Sequence, residues 1–326
     1  MTVTTDAAAG AAVHHTEHST FVQAAPEAVY AIVSDVLTWP LRFAPNVHVE
    51  RLAATESTER IQIWATANGE VRTWISHRVL DPVARRVSFR QEVSSPPVAG
   101  MGGEWIITAE GGGTRLVLTH DFSAVGDDPA GVEWITKATD TNSTAELAAV
   151  KALAERFAEL GELEFEFEDT VEVAGDGADV FEFLYRADEW PRRLPHVAAL
   201  DLQEDVPGVQ VMAMDTTTAD GSVHTTKSVR VAFGTERLVY KQTEVPALMT
   251  AHTGRWRVTP IEGGVLVGSQ HSVTIRPDAV ERVLGAGRTV ADAREFVHRA
   301  LSTNSGATLR HAKAFAEARR AERGRG

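Results

Sequence analysis

The feature that most constrains the fold is an internal duplication, in which one order of motifs occurs twice along the chain. Trp39 and Trp190 each precede a proline and lie 190 − 39 = 151 residues apart. Four further pairs follow in the same order: residues 69–78 with 221–230, 87–91 with 238–242, Trp105 with Trp256, and 141–143 with 303–305. A domain-sized repeat indicates duplication of a whole domain and not a solenoid of short units. The 326 residues also suffice for two domains of ordinary size.

Each half has the residue pattern of an α+β domain. A strand is followed by a short helix, by several strands with alternating apolar residues, and by a long amphipathic helix near residues 129–160 or 288–319. We therefore expect a disordered lead over residues 1–16, a first domain over 17–161 and a second over 162–326. A curved antiparallel sheet wrapped around a long helix leaves an interior pocket, which is the usual place for a ligand.

Charge and composition exclude several classes of function. The net charge of −13 disfavours binding to nucleic acid or to an anionic membrane, which both attract basic surfaces. The chain has no cysteine, which excludes disulfides and thiol chemistry. No apolar run is long enough to cross a bilayer, and residues 1–13 do not resemble a signal peptide. We therefore expect a cytoplasmic protein.

Alternation along the strands predicts which side chains face the pocket of the first half. With the apolar side chains placed inward, Gln91, Trp105 and His120 also point inward. On the long helix, a seven-residue spacing of apolar residues predicts that Asn142 lies under the sheet. Buried polar groups normally have partners, so each of these polar residues could also be a satisfied core group.

The second half is interpreted in the same way. Trp256 and His252 are predicted to point inward. The pattern matches Gln270 to His120, and His271 then takes an outward position. The strand around residues 71–79, and its equivalent around 223–231, could present either face to the pocket. The distribution of apolar residues favours one face in the first half and the opposite face in the second.

Several motifs resemble those of the polyketide aromatase/cyclases of bacterial type II polyketide synthases. They are WPLRF at residues 39–43, WISHRVLDP at 74–82 and TNST at 141–144, with Gln91, Pro96, Pro97, Met101 and Trp105 between them. The resemblance covers the chain from about residue 17 onward and covers it twice, as in didomain members. It implies two tandem helix-grip domains of the START and Bet v 1-like (SRPBCC) superfamily.

The resemblance also implies an activity. Didomain members dehydrate and aromatise the first ring of a C9-reduced poly-β-ketone on an acyl carrier protein, in aromatic antibiotic biosynthesis. The implied partners are that carrier protein and other type II synthase components. We expect no cofactor, and we expect a monomer whose two domains pair. The alternatives are a non-catalytic carrier of a lipid-like ligand and a scaffold for synthase partners. His14, His15 and His18 could bind a metal, but a single cluster near the chain end leads us to expect none.

The predicted site residues combine alternation with the resemblance, which turns Trp74, Ser76 and Arg78 inward. Arg78, His120 and Ser76 are the predicted catalytic residues: Arg78 stabilises enolate charge, His120 moves a proton, and Ser76 orients an oxygen. The predicted substrate-binding residues are Trp39, Phe43, Trp64, Trp74, Gln91, Met101, Trp105 and Asn142. The predicted second-domain pocket holds Ser228, Arg230, Gln242, His252, Trp256 and Asn304. Because Gln270 is matched to His120, we expect the first domain to carry the chemistry and the second to support it.

Overall fold

The computed structural model describes residues 12–67, 70–217 and 223–325. Within these ranges the strands form two seven-stranded antiparallel sheets, each built from one half of the chain. The α+β duplication predicted from the sequence is therefore confirmed. The first strand begins at His14, inside the expected lead over residues 1–16. Residues 1–11 of that lead lie outside the described ranges.

In the first half, a sheet with the strand order β1-β7-β6-β5-β4-β3-β2 packs on one long helix. Its elements are β1 His14–Val22, α1 Pro26–Ser34, α2 Trp39–Arg42, β2 Asn46–Ala54, β3 Thr58–Ala67, β4 Glu70–Asp81, β5 Arg86–Val93, β6 Val98–Glu110, β7 Gly113–Ala124 and α3 Pro129–Ala154. The long helix α3 contacts β1, β7 and α1. A short helix, α4 Phe157–Leu163, follows it.

The second half repeats this arrangement with the strand order β8-β14-β13-β12-β11-β10-β9. Its elements are β8 Glu164–Val173, α5 Gly177–Tyr185, α6 Trp190–Arg193, β9 Val197–Val206, β10 Val209–Thr217, β11 Val223–Phe233, β12 Arg237–Glu244, β13 Met249–Ile261, β14 Gly264–Ile275, α7 Val280–Leu284 and α8 Val290–Arg323. The helix α8 packs against β8, β14 and α5.

Local sequence signals determine where the long helices begin. The carboxylate of Asp128 accepts the backbone N–H of Gly131 at 3.0 Å and so caps α3, whose first residue is a proline. At α8, Thr289 and Asp292 form a reciprocal capping box. Each device satisfies a backbone N–H that the helix itself cannot pair.

The repeated Trp-Pro motif closes the first helix of each half. The indole N–H of Trp39 donates to the carbonyl oxygen of Ile32 in α1 at 3.2 Å. In the second half, the indole N–H of Trp190 donates to the carbonyl oxygen of Phe183 in α5 at 3.0 Å. The motif therefore has the same structural role twice, which explains why it marks the duplication.

The ladder register corrects one match between the halves. Trp105 pairs with Leu118 across β6 and β7, and Trp256 pairs with Ser269 across β13 and β14. Two residues beyond Leu118 stands His120, and two residues beyond Ser269 stands His271, so His271 is the equivalent of His120. The prediction that Gln270 is that equivalent, and that His271 points outward, is wrong. The reason lies in the run from Gly268 to Ser272, where small and polar residues stand on both faces and alternation gives no contrast.

The long helix corrects a second prediction. Its buried face runs through Ile135, Thr139, Ser143, Leu147 and Val150, in steps of three and four residues. Asn142 is exposed, and the equivalent Asn304 on α8 is exposed as well, next to a buried Ser305. A spacing of seven residues falls about 20° short of two full turns, so a seven-residue stripe drifts toward the edge of the buried face.

A glycine on the inner face of each sheet lets an aromatic ring lie against the strand. A Cβ atom on Gly103 in β6 would collide with the carbonyl oxygen of Thr119 and would stand 2.7 Å from Cζ of Phe89. A Cβ atom on Gly254 in β13 would collide with the hydroxyl of Tyr240 and would stand 2.6 Å from the carbonyl oxygen of Gln270. The ring at position 89 or 240 is thus held by close approach to the backbone.

We expect Gly103→Ala to lower the free energy of unfolding by about 1–3 kcal/mol, because the added methyl overpacks the sheet. Gly161→Ala, in the helix α4, is the matched control, since a Cβ atom there meets nothing within 4 Å. Calorimetric melting of both variants checks the expectation. Equal melting temperatures for the two variants would contradict the proposed close approach.

Candidate functional site

The inner face of the first sheet is largely apolar but contains polar side chains that keep some accessible surface. Phe43 and Trp105 are buried in one core cluster, with Trp39 and Phe89 packed against it. A second cluster, of Val36, Val49, Ile61, Ile63 and Ala65, packs against Trp39 and Trp74. Gln91, Met101 and His120 point inward from their strands and are only half-buried. Inward side chains with accessible surface border open space, which is what a ligand-binding interior requires.

Ser76 and Arg78 point inward on β4, as the resemblance implies. The exposed fraction of Ser76 is 4% and that of Arg78 is 2%. Ser76 lies opposite Gln91 in the ladder between β4 and β5. The amide nitrogen of Gln91 is 3.9 Å from the sulfur of Met101. The structure therefore brings Ser76, Gln91 and Met101 together on one patch of the inner face.

Trp64 does not join this patch. Ile63 and Ala65 pack with the aromatic side chains of the inner face, and Trp64 stands between them on β3 with the opposite orientation. It is buried all the same, with an exposed fraction of 6%. The prediction that Trp64 contacts the substrate is therefore not supported by its placement, because neighbouring residues of a strand point to opposite faces.

The guanidinium of Arg78 is held by the protein itself. Its Nη1 is 2.6 Å from a carboxylate oxygen of Glu59, and its Nη2 donates to the carbonyl oxygen of Val33 at 2.7 Å. Its guanidinium carbon lies 5.0 Å from the centre of the Trp39 ring. Burial lowers the pKa of Arg78 to about 10, while Glu59 acts to raise it, so the group stays charged at neutral pH. These contacts identify Arg78 as the residue that joins β4 to the end of α1.

His120 faces the long helix. Its Nδ1 is 3.5 Å from the hydroxyl oxygen of Ser143 on α3, and its ring stands edge-to-face against Phe89, with centroids 5.5 Å apart. Burial lowers the pKa of His120 to about 4, and His18 acts in the same direction. The imidazole is therefore neutral at pH 7, where it can donate one hydrogen bond and accept another.

A half-buried carboxyl group that the sequence analysis missed lies on the same face of α3. Glu146 follows Ser143 by three residues and Thr139 by seven, which places it on the stripe that faces the sheet. Burial raises the pKa of Glu146 to about 7. An acid whose pKa lies near the working pH is suited to proton transfer in either direction. The sequence does contain a signal for this residue. A glutamate interrupts the small and apolar residues that recur every three or four positions along the buried face of α3.

The second domain holds the predicted Ser228, Arg230, Gln242, His252 and Trp256 on its inner face. All but Gln242 are buried, and Gln242 is half-buried. Arg230 donates to the carbonyl oxygen of Leu184 and lies 5.1 Å from the centre of the Trp190 ring. Asn304 is the exception, because it is exposed.

The described part of the chain shows neither a metal centre nor a membrane span. Over residues 12–67, 70–217 and 223–325, no group of three or more His, Cys, Asp or Glu side chains is arranged to hold a metal ion. Of the three N-terminal histidines, His18 instead pairs with Asp140, at 2.7 Å. In the same ranges, no helix combines the length and apolarity needed to cross a membrane.

Comparison with known proteins gives consistent results. Residues 13–155 match the family model described as polyketide cyclase / dehydrase and lipid transport. The granaticin polyketide synthase bifunctional cyclase/dehydratase of Streptomyces violaceoruber is 45% identical over 307 residues, which are 94% of this chain and 95% of the relative. The actinorhodin polyketide synthase bifunctional cyclase/dehydratase of Streptomyces coelicolor is 46% identical over 313 residues, 93% of this chain and 97% of the relative.

A solved structure covers both domains. The di-domain ARO/CYC BexL from the BE-7585A biosynthetic pathway is 50% identical, with a TM-score of 0.84 over 93% of this chain and 99% of its own. The chain belongs to the didomain polyketide aromatase/cyclase family. Both halves of this aromatase/cyclase have the helix-grip architecture that the family resemblance implies.

In this aromatase/cyclase, we expect Glu59→Ala to lower the free energy of unfolding by about 3–5 kcal/mol, because it leaves the charge of Arg78 buried and unpaired. Glu59→Gln should cost less, since an amide oxygen can still accept a hydrogen bond and Gln210 stands at this position in the second domain. Denaturant titration of the two variants checks the order. Equal losses would show that the charge of Glu59 has no part in holding Arg78.

We expect the stability of the wild-type aromatase/cyclase to fall between pH 4.5 and about 7 through Glu146. The raised pKa means that the folded state keeps this proton across that window while the unfolded state releases it, so rising pH favours unfolding. Glu146→Gln removes the effect, and its melting temperature relative to wild type should be higher at pH 8 than at pH 4. Glu133→Gln, an exposed position on the same helix, is the control. A difference in melting temperature between Glu146→Gln and wild type that does not change with pH would contradict the raised pKa of Glu146.

Proposed function

We propose that this protein is a polyketide cyclase/dehydratase. It acts on a carrier-protein-bound poly-β-ketone whose C9 ketone has been reduced, and it expels water and makes the first ring aromatic. The observation that carries the proposal is the pair of titratable groups that α3 and β7 direct into the first interior: Glu146, whose pKa is raised to about 7, and His120, whose pKa is lowered to about 4. Glu146 can give or take a proton at neutral pH, and neutral His120 can form hydrogen bonds to substrate oxygens.

The reaction requires both actions. Loss of water breaks a C–H bond beside a carbonyl and a neighbouring C–OH bond, and forms a C=C bond. The ionised Glu146 carboxylate takes the proton from carbon and then gives it to the departing hydroxyl, while neutral His120 donates a hydrogen bond to a substrate oxygen. The net change is the loss of one water molecule, with no electron transferred, so the reaction balances without a cofactor. Acid–base help of this kind contributes about 10²–10⁴-fold.

The surrounding residues bind and orient the chain. Trp39, Trp74 and Trp105 offer flat apolar surface to a ring that becomes planar, while Ser76 and Gln91 offer hydrogen bonds to its oxygens. Arg78 stays charged but is bound to Glu59 and to the end of α1. Because Glu59 neutralises its charge and its donors are used within the protein, Arg78 supports catalysis by fixing β4 and with it the inward Ser76.

The same groups favour an enzyme over a carrier of lipid-like ligands. A carrier gains affinity from apolar area and loses it by burying unpaired polar groups. A glutamate on the buried face of α3, next to a serine that contacts His120, is a costly feature for a lipid pocket and a useful one for proton transfer.

Reconstitution tests the proposal. The protein is added to a minimal type II synthase with its carrier protein and ketoreductase, and products are identified by mass spectrometry with and without it. Wild type should convert the reduced intermediate to the aromatic product. Glu146→Gln and His120→Ala should each slow conversion by about 10²–10⁴-fold, while Glu133→Gln should match wild type. Binding of the intermediate without conversion by wild type would instead support a carrier.

A further inference from the structure

A second polar cluster lies on the inner face of the second domain. Its members come from three adjacent strands: Tyr240 and Gln242 from β12, His252 from β13, and Ser269 and His271 from β14. Each stands 151 residues after a residue of the first domain, and these are Phe89, Gln91, Met101, Leu118 and His120 respectively. The histidine and the glutamine are shared, and the other three positions all gain a hydrogen-bonding group in the second domain.

The cluster forms a continuous chain of hydrogen bonds. Nδ1 of His252 is 2.9 Å from the amide oxygen of Gln242, and its Nε2 is 3.0 Å from Nδ1 of His271. The hydroxyl of Tyr240 is 3.1 Å from the same Nδ1 of His271. The hydroxyl of Ser269 is 3.2 Å from Nε2 of His271. Every polar atom of both imidazoles therefore has a partner.

One pair of imidazole tautomers satisfies all of these contacts. An amide oxygen only accepts, so Nδ1 of His252 carries a hydrogen and its Nε2 must accept one. Nδ1 of His271 therefore carries a hydrogen, which it donates toward His252 and Tyr240, and its Nε2 accepts from Ser269. The Tyr240 oxygen is then an acceptor within the cluster, and its own O–H hydrogen is available to a molecule in the interior.

Burial keeps both imidazoles neutral, which this assignment requires. It lowers the pKa of His252 to about 3 and that of His271 to about 4, and His271 adds to the effect on His252. Tyr240 is fixed in place because its ring lies over Gly254. Unlike the two imidazoles it is only half-buried, so part of its surface remains accessible.

A buried cation faces the tyrosine. Arg230 lies directly opposite Tyr240 in the ladder between β11 and β12. The position of Glu59, which neutralises Arg78 in the first domain, is held by the uncharged Gln210. Burial raises the pKa of Tyr240, and the charge of Arg230 acts against that rise. A phenolate formed at Tyr240 would thus be stabilised by the Arg230 charge and by the N–H of His271.

We propose that the second domain is a second active site, in which Tyr240 is the catalytic proton donor and His271, His252 and Gln242 are positioning residues. Its substrate class is a β-hydroxy ketone of a partly cyclised polyketide, and its reaction is the loss of water. The C–OH bond breaks and the hydroxyl leaves with the Tyr240 proton as water. The adjacent C–H bond breaks, its electron pair forms the C=C bond, and its proton returns to the phenolate. The substrate assignment rests on the proposed function.

The first domain supplies matched replacements for the test, because it holds Phe at position 89 and Met at position 101. In the reconstituted system, Tyr240→Phe should slow water loss by about 10²–10⁴-fold and accumulate a hydroxylated intermediate. His252→Met should lower kcat while leaving KM near wild type, because it misorients His271 without touching the substrate. Tyr185→Phe, the same chemical change on α5, is the control and should match wild type.

The outcomes separate this inference from the proposed function. If wild type converts nothing, the proposed function fails. If wild type converts the intermediate, Glu146→Gln slows it and a folded Tyr240→Phe variant works at the wild-type rate, only the second active site is refuted. Should Tyr240→Phe melt far below wild type, fluorotyrosine placed at position 240 keeps the ring and lowers the phenol pKa. A changed rate supports proton donation, and an unchanged rate overturns it.

Discussion

Each domain depends on a buried arginine that ties the sheet to the end of the first helix. Arg78 and Arg230 are charged side chains with exposed fractions of only 2%, and each donates to a carbonyl oxygen at the C-terminal end of a helix, that of Val33 or Leu184. The C-terminal end of a helix leaves its last carbonyl oxygens without hydrogen-bond donors and carries a partial negative charge. A guanidinium there supplies the donors and offsets the charge. A tryptophan, Trp39 or Trp190, covers the guanidinium in each case. This fixes β4 or β11, and with it the inward serine two residues earlier.

The two domains compensate this buried charge differently, and their interiors differ accordingly. In the first, Glu59 pairs with the arginine, and the titratable groups of the interior are His120 and a glutamate from the helix. In the second, the arginine faces a tyrosine across the ladder, and Thr308 stands on α8 where Glu146 stands on α3. Duplication therefore kept the frame and changed the acid–base groups.

Both interiors are more polar than a lipid-binding pocket requires. A histidine occupies the same place in each, facing Ser143 from α3 in the first domain and held by Tyr240 and His252 in the second. Neutral imidazoles in a dry interior donate and accept hydrogen bonds without the cost of burying a charge, which suits a site that orients the oxygens of a substrate that loses water. The membership of the chain in the didomain aromatase/cyclase family and the chemistry of its interiors thus agree.

The sequence by itself determined the duplication, the α+β class, the inward direction of Gln91, Trp105 and His120, and, through a family resemblance, that of Ser76 and Arg78. These follow from local alternation and from motifs that repeat at one spacing.

The tertiary structure decided what local pattern cannot encode. Pairing between β13 and β14 turned His271 inward, whereas the sequence pattern predicted an outward side chain. The pattern failed because Gly268 and Ser269 do not show which face of β14 is apolar. The rotation of α3 exposed Asn142 and turned Glu146 toward the sheet, since a few degrees per turn decide which side of a helix is buried. The partners of Arg78 and the Tyr240–His271–His252 chain join residues far apart in sequence, and only the folded register brings those atoms within hydrogen-bonding distance.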